Sequence, residues 1–326
     1  MKREAILELK NLKQYFPIKG GIFKRVMGHV RAVDDISIAI NEQETLALVG
    51  ESGCGKSTTG KMILRLIQPT DGEILYNGQN IAKLSNERFR GLRKDIQIIF
   101  QDPYSSLNPR MTVRQLLLEP ILTHKLMPKK QAEQEIIEII KNVGLTEKSL
   151  SKYPHEFSGG QRQRISIARA LVLKPKFLVL DEPVSALDVS IQAQILNLLK
   201  KLQQQYQLTY LFISHDLNVV RHVSDRIAVM YLGQIVEIAP SQELFKNPKH
   251  PYSQALISAI PKKHPNDFVE RIILKGEIPD PSNPPKGCPF HTRCLHVQEQ
   301  CKLGTIPSYQ ISEQHDVKCV LYENDK

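Results

Sequence analysis

The eight residues Gly50-Glu51-Ser52-Gly53-Cys54-Gly55-Lys56-Ser57 constrain this chain more than any other stretch, because of what lies on either side of them. The run TLALVG leading into them is apolar and strand-like, and a helical pattern follows from Lys56 to about Leu66. Strand, glycine-rich turn and helix in that order fit G-x-x-x-x-G-K-[ST], a phosphate-binding loop. The glycines let backbone N–H groups wrap the β- and γ-phosphates of a nucleotide, Lys56 adds a point charge, and the Ser57 hydroxyl can coordinate Mg²⁺. Cys54 is a neutral occupant of a variable loop position.

Around that loop, strands and helices alternate. AILEL, VDDISIAI and ETLALVG read as strands between Ile6 and Val49, with the basic stretch PIKGGIFKRVMGHVRA as a long hairpin loop between the first two. The Asp-Gly and Asn-Gly pairs of PTDGEILYNG mark tight turns around a short strand. From Met111 to about Tyr153 two helical patterns take over, one carrying Ile136, Ile137, Ile140 and Val143 before a helix-ending Gly144. FLVLDEP, a helix over 189–206, LTYLFISHD, a further helix and RIAVMYLGQIVEIA then restore the alternation. This pattern predicts a mainly parallel sheet with helices on both faces. Beyond Pro240, prolines at 248, 251, 261, 265, 279, 281, 284 and 285 set off a C-terminal segment of different character.

A chain of 326 residues has room for about two domains, and 41% hydrophobic with 24% charged residues is ordinary for a soluble globular protein. The longest uncharged apolar run, Ile227 to Val236, is too short to cross a bilayer. The opening MKREAILELKNL lacks the apolar core of a signal peptide, so a cytosolic address is expected, which also argues against disulfides. A net charge of +10 suits nucleotide phosphates, nucleic acid or an anionic membrane surface without choosing among them. With no Trp and no basic stripe interleaved with aromatics, single-strand nucleic-acid binding gets little support.

Two further stretches carry chemistry. Phe177 to Asp181 is an apolar strand ending in a carboxylate, with Glu182 directly after it. Asp181 is suited to hold Mg²⁺ directly or through water, and Glu182 to polarise an attacking water as general base. Ser158-Gly159-Gly160-Gln161 opens a helical pattern that reaches Leu173, so its N–H groups and dipole offer a second place for an anion. A Ser N-cap beside glycine is also an ordinary way to begin a helix.

Together with Gln101 in IIFQDP, Ser185-Ala186-Leu187-Asp188 and His215 in ISHD, these elements resemble, in order and spacing, those of ATP-binding cassette (ABC) ATPase subunits over about Ile6 to Ala239. The resemblance implies an α/β fold: a P-loop NTPase (RecA-like) core with an antiparallel β subdomain, a helical subdomain inserted at about 104–157, and a small C-terminal appendage. Residues 1–240 would be the nucleotide-binding domain and 241–326 the extension. ATP and Mg²⁺ are the implied ligands. Gly50, Glu51, Ser52, Gly53, Cys54, Gly55, Lys56, Ser57 and Thr58 would take the phosphates, and Phe16, with Tyr15 beside it, would stack on adenine. Ser57, Gln101 and Asp181 would serve Mg²⁺, while Glu182, Gln101 and His215 would act on the attacking water and γ-phosphate. In this family two cassettes pair head to tail, so Ser158, Gly159, Gly160, Gln161 and Asp188 would complete a site on a neighbouring cassette. Phe157 stands where the family more often has Leu.

Within the family, QDPYSSLNPRMTV and the tail HPYSQALISAIP…LKGEIPDPSNPPKGCPFHTRC resemble the ATPase subunits of dipeptide and oligopeptide importers. That resemblance implies a peripheral subunit on the cytoplasmic face of the cell membrane, docked through Tyr104 to Asn108 beneath two membrane permeases. Its other partners would be a second, non-identical ABC ATPase and, indirectly, an extracytoplasmic substrate-binding protein, with no nucleic acid. Relatives handling nickel, glutathione or sugars share parts of the tail. Soluble cassettes of DNA repair carry insertions too large for the interval between Gln101 and Ser158, and translation-associated cassettes have two copies per chain. Cys288, Cys294, Cys301 and Cys319 place four soft ligands within 32 residues. Four thiolates suit a zinc site or an iron–sulfur cluster. The spacing lacks paired CxxC knuckles, and the importer resemblance implies [4Fe–4S], with Zn²⁺ or plain reduced thiols as the alternatives. His291, His296 and His315 nearby read as surface or loop residues.

Overall fold

A computed structural model describes residues 4–20, 25–260 and 271–323. Residues 1–3, which entered the leader expectation, and 261–270 of the tail lie outside the described residues. In chain order the elements are β1 (Ala5–Gly20), β2 (Arg25–Asn41), β3 (Thr45–Val49), α1 (Lys56–Ile63), β4 (Asp71–Tyr76), β5 (Gln79–Asn80), α2 (Asn86–Leu92) and β6 (Ile96–Ile99). Then follow α3 (Pro103–Ser106), α4 (Val113–Thr123), α5 (Lys129–Asn142), α6 (Gly159–Leu171), β7 (Phe177–Asp181), α7 (Val189–Tyr206) and β8 (Thr209–Ser214). The chain continues through α8 (Leu217–Val223), β9 (Arg226–Tyr231), β10 (Gln234–Pro240), α9 (Ser241–Lys246), α10 (Pro251–Ser258), β11 (Tyr309–Ser312) and β12 (His315–Val317). It divides into two compact units, Met1–Lys83 with Ile213–Lys326, and Leu84–Phe212.

In the first unit, β1 pairs antiparallel with both β2 and β4, so Leu9 lies opposite Ile38 on one side and Ile74 on the other. Leu7, Leu9, Leu12, Ile36, Ile40 and Ile74 are all buried, the period-two face expected of these strands. The expected hairpin loop is not a loop over most of its length. Pro17, Ile18 and Gly20 pair with His29, Gly28 and Arg25, and residues 21–24 between them lie outside the described residues. Ile18, Val26 and Met27 are exposed there, so the ribbon is held by its backbone ladder and has no buried face to announce it in the sequence.

β3 is wholly buried and runs parallel to β9, with Val49 opposite Val229. β10 returns antiparallel to β9, and the tail adds β12 and β11 beyond it, with Glu237 opposite Val317. His315 is therefore no surface residue. It is 1% exposed, and its Nε2 meets Glu237 Oε1 at 2.8 Å. The same carboxylate accepts the Lys249 and His250 N–H groups at 2.8 and 2.9 Å, so a buried charge is shared among several donors.

The second unit contains the helical region and the parallel pair β6 and β7. α4 begins with a reciprocal Thr112–Gln115 capping box, and α5 buries Ala132, Ile136, Ile139 and Ile140 on one face. α5 ends at Asn142 with left-handed Gly144 two residues on, and Arg164 from α6 donates to the Val143 carbonyl at 2.7 Å, satisfying one of the orphan acceptors of that helix end.

Candidate functional site

The phosphate loop lies in the first unit and takes its shape from two glycines and one lysine. Gly50 has φ +155° and Gly55 φ +109°, and a Cβ at either would stand 2.1 Å from a backbone carbonyl oxygen, that of Met230 or of Ala32. Only glycine fits both places. Lys56 is 5% exposed. Its Nζ donates to the Gly50 and Glu51 carbonyls at 2.8 and 3.0 Å, folding the ammonium back across the loop. α1 then starts at Lys56 with no side-chain cap and no acidic residue in its first turn, which leaves the positive end of the helix for an anion. Burial raises the Cys54 thiol above its ordinary value despite the neighbouring Lys56 ammonium, in keeping with a neutral occupant.

Tyr15 and Phe16, the candidates for adenine stacking, face opposite ways along β1. The Tyr15 hydroxyl is bound to the Asp34 carboxylate and its ring lies 5.7 Å from the Arg31 guanidinium. Burial and the Asp34 charge push its phenol up to about 12. Phe16 is the exposed one of the two. His215, also exposed, follows β8 directly, and Asp216 caps α8 beyond it.

The second unit brings Gln101 and Glu182 together. Gln101 Nε2 donates to Glu182 Oε2 at 2.9 Å across 81 positions of sequence. Asp181 is buried at the end of β7, and Glu182 after it takes φ +50°. A left-handed carboxylate residue costs about 1 kcal/mol or more and is the kind of strain that collects at working sites. Ser185 holds the turn by returning its N–H and hydroxyl to the Glu182 carbonyl at 3.3 and 3.1 Å.

Ser158 is the N-cap of α6, in a capping box with Gln161: Ser158 N–H donates to Gln161 Oε1 at 3.1 Å, and Gln161 N–H to Ser158 Oγ at 3.4 Å. The ordinary helix-capping role is therefore filled at this residue. α7 packs close on Gly160, where a Cβ would stand 2.5 Å from Ile191 Cγ2 and push that side chain aside. Asp188 is exposed at the start of α7 without capping it. Sequence reading missed how tightly α6 holds the segment after Gln101. The Arg162 guanidinium covers the Tyr104 ring at 3.7 Å, and Arg169 donates to the Ser106 carbonyl at 2.6 Å. Arg162 and Arg169 are seven apart on one helix face, the signal that could have found them.

The four tail cysteines lie near enough to feel one another. Burial pushes the Cys288 thiol up to about 12, with the charges of Cys301, Cys319 and Cys294 adding to the rise against a hydrogen bond from the Phe290 amide. Burial likewise pushes Cys319 up to about 11, opposed by the Leu321 amide. The His296 and Gln298 amides donate to Cys294 and Cys301 Sγ, each at 3.4 Å. Each of the four sulfurs thus faces a backbone N–H. Among the described residues, however, no group of three or more His, Cys, Asp or Glu is arranged to hold a metal ion.

Similarity to known families falls in two stretches of the chain. The family described as ABC transporter matches residues 33–185, and the oligopeptide/dipeptide transporter C-terminal region matches residues 236–301. The oligopeptide transport ATP-binding protein AppF of Bacillus subtilis (strain 168) is 53% identical, over 98% of both chains. Oligopeptide transport ATP-binding protein OppF of Escherichia coli (strain K12) is 46% identical over 98% of this chain and 96% of its own. Di/tripeptide transport ATP-binding protein DppF of Pseudomonas aeruginosa (strain UCBPP-PA14) is 45% identical over 97% of each. Among solved structures, the dimeric post-hydrolysis ATP-binding cassette MJ0796 bound to ADP and Pi superposes with a TM-score of 0.64 at 29% identity, over 72% of this chain and 98% of its own. With its α/β fold, its glycine-shaped loop closed by Lys56, and relatives aligned from end to end, the chain belongs to the ATP-binding subunits of ABC transporters, in the branch that carries the oligopeptide/dipeptide C-terminal region.

Proposed function

We propose that this chain hydrolyses ATP to drive an ABC importer of di- or oligopeptides. The observation that carries the reading is the presence in one chain of a cassette region and an oligopeptide/dipeptide tail, both aligned with relatives named for peptide transport. Residues 1–240 form the nucleotide-binding domain, with its helical insert at about 104–157, and 241–326 the extension. Gly50 to Thr58 bind the phosphates, and exposed Phe16 stacks on adenine. Water attacks the γ-phosphorus in line while Glu182 accepts its proton, and the bond to the β,γ-bridging oxygen breaks to release ADP. Lys56 stabilises the charge on the transferred group, Gln101 and His215 orient the water and phosphate, and Ser57, Asp181 and Gln101 would hold Mg²⁺. When bound, Mg²⁺ neutralises charge on the phosphate oxygens. Ser158 and Gly160 supply their donors to ATP on a neighbouring cassette, with Gln161 and Asp188 at the same seam. The dimeric state of the solved cassette bound to ADP and Pi supports that pairing. The partners are two membrane permeases, a second and different ABC ATPase, and indirectly an extracytoplasmic binding protein, with this subunit peripheral on the cytoplasmic face. Among the described residues no helix is long and apolar enough to cross a membrane.

Lys56→Ala tests the reading. In the assembled transporter it is expected to lower both ATP hydrolysis and uptake of a labelled dipeptide by about a hundredfold or more. ATP-driven uptake of nickel, glutathione or a sugar in place of peptide would overturn the substrate class and leave the ATPase assignment standing.

The cysteines receive a narrower proposal. Cys288, Cys294, Cys301 and Cys319 converge on one soft-metal group when it is present, [4Fe–4S] by resemblance and Zn²⁺ as the alternative, and no step of hydrolysis passes through it. Protein purified without oxygen is expected to carry iron with sulfide, or zinc, in fixed ratio to chain, and Cys301→Ser to lose it. Metal-free protein after anaerobic purification and reconstitution would remove the site.

A further inference from the structure

None of the roles above uses the tail for nucleotide chemistry, yet within the first unit the tail grips the phosphate loop. The Arg293 side chain, 8% exposed, forks onto Glu51: Nη1 donates to Oε2 at 2.8 Å and Nη2 to Oε1 at 3.3 Å. Tyr252 Oη accepts the Glu51 backbone N–H at 3.0 Å. Phe290, three residues before Arg293, packs against Tyr231 and Tyr252 with ring centroids 5.2 and 5.3 Å away. That packing fixes where the guanidinium can reach. A cleft of about 290 Å³ remains between the loop and the segment Ile278–Pro281.

The charge at Glu51 is the point that needs explaining. The loop gathers N–H groups and an ammonium around a polyanion, and its second residue is a carboxylate. Left bare, that carboxylate would repel the phosphates, by about tenfold in affinity or more at the effective dielectric of a protein surface. A planar guanidinium can pair both carboxylate oxygens at once, where an ammonium meets them only as a point charge.

We propose that Arg293 is a positioning residue for the phosphate loop: it neutralises Glu51 and, with Tyr252, fixes the Glu51 backbone, making the C-terminal region part of the ATP site of its own chain. The proposal rests on the reading of Gly50 to Ser57 as the triphosphate loop. If the pair merely anchored the tail, removing the Glu51 charge would not restore ATP affinity lost with Arg293, and this difference supplies the test.

ATP affinity of the full-length chain is measured by equilibrium binding, with thermal unfolding to check the fold. Arg293→Met is expected to weaken ATP binding about tenfold, and Arg293→Lys by less, because Lys restores the charge without the fork. Adding Glu51→Gln to Arg293→Met is expected to recover affinity to within about threefold of the parent, since the bare charge is gone. Parental affinity in Arg293→Met, or a folded double variant that binds no better than Arg293→Met, overturns the proposal. If Arg293→Met does not fold, Glu51→Gln alone decides. It leaves the guanidinium uncompensated beside the loop and is expected to tighten ATP binding about two- to threefold, so unchanged or weaker binding overturns the proposal. Lys56→Ala separates the two layers. If it binds ATP normally, the loop reading itself fails; if it loses ATP while Arg293→Met does not, only the role of Arg293 falls.

Discussion

Glu182→Gln is expected to cut ATP turnover by about 10²- to 10³-fold while leaving ATP affinity within about threefold of the parent. Gln keeps the length and planarity of the side chain and can still accept the hydrogen bond that Gln101 Nε2 gives at 2.9 Å. Its backbone demand is also unchanged, since Gln at φ +50° carries the same left-handed cost as Glu. What the substitution removes is the ability to take a proton from water. The loss should therefore fall on the chemical step, and ATP should accumulate unhydrolysed on the protein. Single-turnover hydrolysis set beside equilibrium ATP binding checks this. Parental turnover in Glu182→Gln would take the residue out of the general-base role, and parallel loss of binding would show that the carboxylate holds the site together instead.

The parts of the molecule legible in sequence are those whose reason is local. The order strand, glycine loop and helix at Thr45–Ile63 could be read because β3 is buried on both faces and the loop glycines are demanded by backbone contacts. The helix expected over 189–206 matches α7, whose one-sided apolar period ends where Gln207 turns left-handed. The hairpin ribbon was illegible because it buries neither face and so has no alternation to read. Long-range partnerships were illegible for a different reason. Glu51 and Arg293 are 242 positions apart, and Glu237 and His315 are 78 apart. A lone Arg or His in a proline-rich tail looks like solvated surface until the fold brings a carboxylate to it. For Tyr15 and Phe16 the sequence could name the pair but not the face, and Asp34 supplies the partner that occupies the Tyr15 hydroxyl.

Two glycines of one loop should respond to the same substitution in opposite degree. Gly55→Ala is expected to abolish measurable ATP binding and to destabilise the first unit by at least about 3 kcal/mol. φ +109° is strained for any L side chain, costing about 1–3 kcal/mol, and the new methyl adds a backbone clash. That methyl would lie 2.1 Å from the Ala32 carbonyl oxygen and 2.7 Å from Met230 Cε. The Met230 side chain can swing aside, but the Ala32 carbonyl belongs to β2 and can move only with the strand. Relief must come from the loop, which withdraws the N–H groups at the head of α1 from the phosphates. Gly53→Ala meets nothing within 4 Å, and φ +80° carries only the left-handed cost of about 1 kcal/mol. It is expected to bind ATP within about fivefold of the parent, because about 1 kcal/mol corresponds to a factor near five. Thermal unfolding and ATP titration of the two variants read both effects together. Equal losses at Gly53 and Gly55 would mean that general loop flexibility, and not the contact with β2, shapes the phosphate site.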